Sequence, residues 1–407
     1  MLDKWGKVTG VKPVKFTREL HTGNPHNGKP PHSAGEVYDM LLGDYSVSRE
    51  KADLMMEIYN YQEEITGEPD FLSCGVYIGI PFCPSRCLYC SFTSNQRPHE
   101  EIERYLKALY EEISFVGRRM KETGMYPESV YIGGGTPTTL SAEELDFLLT
   151  HIERNFDLSK LKEFTVEAGR PDTITADKLS MIAKHGIKRI SINPQSMKEE
   201  TLKLIGRNHS PEDIREAFKL AEKSGIDAVN CDLIAGLPEE DAGDFRETLR
   251  EVIGFRPKNI TVHTLAVKRA SRLIEEDSEY HEKHAAVVSE MIESSVSMLR
   301  EAGYRPYYLY RLKRMAGALE NVGWCRDDKP CIYNIRIMDE RQTIIALGAG
   351  GVSKVYFPLE NRLERVQNVN NYEVYIDRLP MMLKRKEEGI FSQAYEIKSQ
   401  IDKLTDK

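Results

Sequence analysis

No apolar run in the 407-residue chain approaches the roughly 20 residues that a membrane-spanning helix needs. The N-terminal stretch MLDKWGKVTGVKPVKF is basic but carries no apolar core, which argues against a secretory signal. Basic residues are not in excess: 64 acidic against 56 basic side chains leave a formal net charge of −8. That balance argues against general nucleic-acid binding, which needs a basic face, and still allows a local basic pocket. Cysteine is scarce, at seven residues. An odd number, with three of them crowded together, argues against a disulfide framework and for a reducing, cytoplasmic compartment. Low-complexity tracts are also missing. What remains is a composition ordinary for a soluble globular protein, 40% hydrophobic and 29% charged, in a chain long enough for a large core.

The order of elements predicts three regions. Residues 1–70 read as a mostly helical segment. In it, HTGNPHNGKPPHSAG is a Gly/Pro/His loop, either polar or metal-binding. AGEVYDMLLGDY and SREKADLMMEIYNYQEEI have helical spacing, with Leu54, Met55, Ile58 and Tyr61 near one face. From residue 76, short apolar runs alternate with amphipathic stretches. The runs are VYIGIPF (76–82), SVYIGGG (129–135), EFTVEAG (163–169), RISINPQ (189–195), AVNCDLIAGLP (228–238) and NITVHTLAV (259–267). Ser141 followed by Glu144 predicts a capping box on one intervening helix. Strand–helix alternation means parallel strands with right-handed crossovers. Six units rather than eight predict an open (β/α)6 partial TIM barrel over 71–302, with its chemistry on loops at the strands' C-terminal ends. Residues 303–407 read as a small C-terminal α/β subdomain with a charged helical tail. There, IYNIRIMDERQTIIALGAGGVSKVYF is expected to form two strands around a turn, then a Gly-rich bend.

Cys83, Cys87 and Cys90 stand in the C-x3-C-x2-C stretch PFCPSRCLYC, directly after the first strand. Three thiolates at this spacing suit three irons of a [4Fe–4S] cluster and leave one iron open. A zinc site pairing Cys87 and Cys90 with Cys325 and Cys331 is the alternative; zinc prefers four protein ligands. A redox C-x-x-C would leave Cys83 without a role. Cys74 and Cys231 read as small core residues.

C-x3-C-x-aromatic-C after the first strand of an incomplete barrel, with Tyr89 as the aromatic, resembles the radical S-adenosylmethionine (SAM) superfamily. YIGIPFCPSRCLYCSF, YIGGGTPTTLS, TVEAGRPDTIT, NPQSMKEETLKLIGRNHS and NCDLIAGLPEE resemble, in order, motifs of the oxygen-independent coproporphyrinogen III oxidases and the related heme chaperones. The match covers roughly residues 70–360. YNIRIMDERQTIIALGAGGVSK and WGKVTGVKPVKF are most similar to the HemZ branch, the coproporphyrinogen dehydrogenases. HemZ-type proteins often carry sequence before the Trp-Gly stretch, so Trp5 implies a short or trimmed version.

The resemblance implies a [4Fe–4S] cluster on Cys83, Cys87 and Cys90, and SAM. Gly134, Gly135 and Thr136 would line the methionine end of SAM. Tyr77 matches the tyrosine of the family's Tyr-x-His-Ile-Pro-Phe-Cys stretch, whose histidine is Gly79 here. Glu167 and Asp232, carboxylates in apolar strands, would meet the ammonium or ribose of SAM. Arg207 would pair with its carboxylate, and Gln195 would donate and accept. For each, a structural ion pair or a surface position is the alternative.

The implied reaction uses a reduced cluster to cleave SAM to a 5′-deoxyadenosyl radical. That radical removes a hydrogen from a propionate β-carbon, and loss of CO2 and one electron leaves a vinyl group. Coproporphyrinogen III would become protoporphyrinogen IX, with an electron donor and an electron acceptor as partners. Its four propionates call for cations, for which Lys268, Arg269, Arg272, Arg311, Lys313 and Arg314 are candidates beside Tyr308 and Tyr310. The rival expectations are a heme chaperone and a radical enzyme acting on another tetrapyrrole such as heme. The well-studied oxidases have a fourth cysteine two residues after the last; this chain has Phe92, as the chaperones do.

Overall fold

Parallel strands covered on both faces need nearly continuous apolar side chains, and the six runs supply them. In the computed structural model, which describes residues 4–23, 28–90, 94–265, 280–311 and 320–405, all six are strands. They are β1 (Ser73–Ile80), β2 (Tyr126–Gly134), β3 (Glu163–Glu167), β4 (Arg189–Ser191), β5 (Ala228–Ala235) and β6 (Asn259–Thr264). The chain divides into two compact units, one of Met1–Glu68 with Asp232–Asp339, the other of Pro69–Cys231 with Glu340–Lys407. The boundary falls within β5.

In the second unit, β1 to β5 pair in parallel in sequence order. Helices His99–Thr123, Ala142–Asn155, Ala176–Lys184 and Pro211–Lys223 lie in the crossovers. Ser141 caps the second of these: its hydroxyl accepts from Glu144 N at 3.1 Å, and Ser141 N donates back to the Glu144 carboxylate at 2.8 Å. The other edge of β1 does not stay open. β9 (Thr343–Leu347) pairs with it in parallel, and β10 (Val352–Phe357) and β11 (Arg362–Gln367) continue antiparallel. The result is an open α/β sheet rather than a closed barrel.

In the first unit, β8 (Glu320–Cys325) pairs antiparallel with both β6 and β7 (Arg305–Arg311). The helix Arg49–Thr66 buries Leu54, Met55, Ile58 and Tyr61 along one face, as its spacing predicts. Trp5 is also buried: its ring lies under Arg311 at 4.7 Å and its Nε1 donates to Glu320 at 3.3 Å.

Residues 332–338 correct one expectation. The β-branched run IYNIRIM reads as a strand but forms part of the helix Ile332–Asp339. Its buried positions, Tyr333, Ile335, Arg336 and Asp339, repeat at helical spacing. Arg336 donates to the carbonyls of Thr66 and Gly67, and Asp339 pairs with Arg18, so buried polar partners override β-propensity. The helix Pro13–Thr22 has no counterpart in the expected elements.

Candidate cluster and cofactor site

The cysteine loop leaves β1 at Pro81 and is held by backbone on both sides. Cys83 N donates to Asn95 O at 3.1 Å, and Asn95 Nδ2 donates to Pro81 O at 2.9 Å. Leu88 N donates to Ile205 O at 2.9 Å, and Ser85 Oγ to Gly206 O at 3.2 Å. None of the loop's three cysteines is in a disulfide. Burial pushes the Cys83 thiol up to about 11, although Thr136 Oγ1, 3.5 Å from its sulfur, works the other way. Binding a metal would displace that proton, because the thiolate is the ligand.

The glycine stretch after β2 packs against this loop. Gly135 N donates to Ile80 O at 2.8 Å and Thr136 N to Phe82 O at 2.7 Å. A Cβ on Gly135 would collide with the Phe82 carbonyl and come within 2.9 Å of Cys83 Sγ, so only glycine fits. Gly134 has φ +116°, a conformation that glycine alone adopts cheaply. On the same face, Tyr131 hydroxyl donates to Glu167 Oε1 at 2.6 Å, and Tyr131 stacks on Tyr77 at 6.3 Å. Burial first, then the Glu167 charge, raises Tyr77 well above the ordinary tyrosine value. Gly79, where the family's histidine would stand, faces the carbonyls of Leu347 and Ala349 at 3.4 and 3.6 Å from a built Cβ. The bend after β9 thus borders the place that the histidine would take.

Arg207 is 6% exposed and donates to Asn193 O at 2.6 Å and Gly169 O at 3.3 Å. It also hydrogen-bonds Tyr89, whose hydroxyl burial raises while Arg207 lowers it. Gln195 has a positive φ of 65° and is buried. Its Oε1, Asn193 Oδ1, Arg207 Nε and both ring nitrogens of His209 are buried polar atoms without hydrogen-bond partners. Burial, reinforced by Arg207, drives His209 down to about 3 and keeps it neutral. Unpartnered buried polar atoms are costly, and a polar ligand satisfies them.

Asp232 belongs to the first unit. Its Oδ1 is 3.4 Å from His263 Nε2, and His263 Nδ1 is 3.0 Å from Tyr310 hydroxyl. Tyr310 stacks on the buried Tyr308, which rests on Gly323, where a Cβ would collide with the ring. Arg311 is not a substrate-facing cation. It is 9% exposed, donates to Val8 O at 2.6 Å and covers Trp5. Lys268, Arg269, Arg272, Lys313, Arg314 and Phe92 lie outside the described residues, as do 24–27 of the Gly/Pro/His loop. Cys325 and Cys331 are fully buried, and Cys325 Sγ lies 3.4 Å from Tyr61 hydroxyl in the first unit.

Tyr131, Arg170, Asn193 and His209 in the second unit, and His263 beside Asp232 in the first, are residues that sequence reasoning did not single out. Tyr131, Arg170, Asn193 and His209 all stand in quoted motifs, and a rule that weighed every polar residue just past a strand end would have reached Arg170 and Asn193. Tyr131 and His263 read as ordinary strand residues. The residues present fit a cluster and SAM on two observations: three cysteines outside any disulfide on one anchored loop, and orphaned buried polar atoms at Gln195 and Arg207. Among the described residues, no three His, Cys, Asp or Glu side chains converge as a single-ion site requires. A cluster takes its thiolates on different irons and needs no such convergence.

Residues 77–252 match the Radical SAM superfamily. The "oxygen-independent coproporphyrinogen-III oxidase-like protein HemZ" of Bacillus subtilis is 40% identical over 383 residues, 92% of this chain and 74% of that protein. The "heme chaperone HemW" of Escherichia coli is 29% identical over 296 residues, 70% of each chain. The solved coproporphyrinogen III oxidase (HemN) of Escherichia coli shares the fold, with a TM-score of 0.61 and 21% identity over 80% of this chain and 73% of that one. The superfamily uses a [4Fe–4S] cluster and SAM. This chain belongs to the radical SAM superfamily and, within it, to the family of oxygen-independent coproporphyrinogen III oxidases and their HemZ and HemW relatives.

Proposed function

We propose that the chain is an oxygen-independent coproporphyrinogen III oxidase that converts two propionates to vinyl groups, with a tetrapyrrole substrate, an electron donor and an electron acceptor. The observation that carries this is the 40% identity to HemZ across 92% of the chain. Cys83, Cys87 and Cys90 would hold the cluster. Gly134, Gly135 and Thr136 would let SAM approach the backbone. Glu167 would accept from its ammonium or ribose hydroxyls, with Tyr131 fixing the carboxylate. Arg207 would hold its carboxylate, Gln195 would satisfy its polar edge, and Tyr77 and Tyr89 would wall the pocket. Asp232, oriented by His263, is a second acceptor. When bound, the cluster and SAM supply the one-electron cleavage and hydrogen abstraction; the protein supplies orientation and exclusion of water.

The second reading is a heme carrier, favoured by the HemW relatives and by Phe92. Anaerobic assay with reductant, SAM and an acceptor tests both. The oxidase yields protoporphyrinogen and 5′-deoxyadenosine, and Cys83→Ala abolishes iron binding and turnover while Cys325→Ala does not. A cluster-loaded, SAM-binding chain that leaves coproporphyrinogen intact but binds heme stoichiometrically is a carrier. Heme offered as substrate reveals ring opening.

A further inference from the structure

We propose that Arg170 raises the reduction potential of the cluster by acting on Cys87, and that Asp172 opposes it. The proposal rests on a cluster held by Cys83, Cys87 and Cys90.

Arg170 is 4% exposed and follows β3 by three residues. It precedes Pro171, which restricts it to extended backbone, here φ −121° and ψ 106°. That backbone sends its guanidinium to the cysteine loop. Nη1 donates to Cys87 Sγ at 3.6 Å and to Ser85 O at 3.4 Å, and Nη2 donates to Ser85 Oγ at 2.8 Å. Asp172 grips the other side, taking Nε and Nη2 at 3.1 Å each. The N–H aimed at sulfur is therefore fixed from both ends.

Hydrogen bonds to cluster sulfurs and local charge set the potential of such clusters. Reduction adds a negative charge, which an N–H donor and a guanidinium cation stabilise. Arg170 thus makes the cluster easier to reduce. The Asp172 carboxylate partly cancels the cation and pulls the potential back down. Neither residue touches the reacting atoms; both act through Cys87.

The two residues predict shifts of opposite sign, which a merely structural role does not produce. The full chain is reconstituted anaerobically, its iron and sulfide are counted, and a redox titration is followed by electron paramagnetic resonance. Arg170→Gln should move the midpoint to more negative potential, on the order of a tenfold loss of reduced cluster at fixed potential (~59 mV for one electron). Asp172→Asn should move it to more positive potential. An unchanged midpoint in an iron-replete Arg170→Gln protein overturns the proposal, as do shifts of the same sign in both variants. If Arg170→Gln holds no iron, Asp172→Asn decides: an unchanged or more negative midpoint overturns it. A wild-type chain that takes up no iron removes the cluster itself, an outcome separable from a failure at Arg170.

Discussion

Glu167 ends β3 half-buried, beside the buried Thr165 and Val166, and a carboxylate there needs partners. Tyr131 supplies one, a 2.6 Å hydrogen bond to Oε1, and Gly133 supplies room, since its Cβ would press on the carboxylate at 2.9 Å. A carboxylate held in this way is preorganised for a cationic or hydroxyl-bearing ligand. Glu167→Gln should weaken SAM binding by roughly 1.5–3 kcal/mol, about 10- to 150-fold, with iron content unchanged. Tyr131→Phe removes only the positioning bond and should cost roughly 0.5–1.5 kcal/mol. Equilibrium dialysis with labelled SAM reads both. Full affinity in Glu167→Gln would return the pair to a structural role. Glu167 was legible in the sequence because a charge in an apolar run is conspicuous. Tyr131 was not, because a tyrosine in a strand is what β-propensity leads one to expect.

The strand β9 is pinned beside β1 by a buried polar network. Glu112, in the helix His99–Thr123, accepts from Gly348 N and Tyr375 hydroxyl at 2.7 Å each, and from Asn368 Nδ2 at 2.9 Å. Lys386 reaches Glu112 Oε1 at 3.3 Å, Ala346 O at 2.7 Å and Asn368 Oδ1 at 3.1 Å, with both charged side chains 0% exposed. Its helix Leu379–Lys386 runs directly into a π-helical turn, Glu387–Phe391. Removing one member of a buried pair leaves an uncompensated charge. Lys386→Met should therefore destabilise the protein by about 3–5 kcal/mol, and adding Glu112→Leu should recover part of that. Urea unfolding of the single and double variants measures it. An equal loss in both would mean that packing rather than charge pairing holds β9. The Gly-rich bend after β9 was readable from its glycines, but its anchor was not. Glu112 and Lys386 lie far apart in sequence, on stretches that look like ordinary charged helix faces.

For the molecule as a whole, acid stability carries a signature of the site. His209 is 5% exposed and its folded value falls to about 3 from an ordinary 6.5. The unfolded chain binds its proton as pH drops through 6.5, whereas the folded chain does so only near 3. Between these values the unfolded state binds more protons, so stability falls as pH falls. The slope is about 1.4 kcal/mol per pH unit for one such group. His209→Gln should flatten the urea midpoint between pH 6.5 and 4 relative to wild type. Parallel curves would show that His209 ionises in the folded state as freely as in the unfolded one.

Periodicity and local chemistry by themselves determined the six strand runs, the capping box at Ser141, the buried face of Leu54, Met55, Ile58 and Tyr61, and the cysteine triplet, since each depends on neighbours within a few residues. Tertiary structure alone decided that residues 332–338 are helical, because the partners of Arg336 and Asp339 lie some 270 to 320 residues earlier in the chain, at Thr66, Gly67 and Arg18. It also decided that Arg311 is spent on Val8 and Trp5, and that Arg170 points its N–H at Cys87 across a sequence separation of 83 residues. Propensity acts over a turn or a pleat. A buried cation takes its role from whichever carbonyl, ring or sulfur the fold brings to it, and no local pattern encodes that encounter.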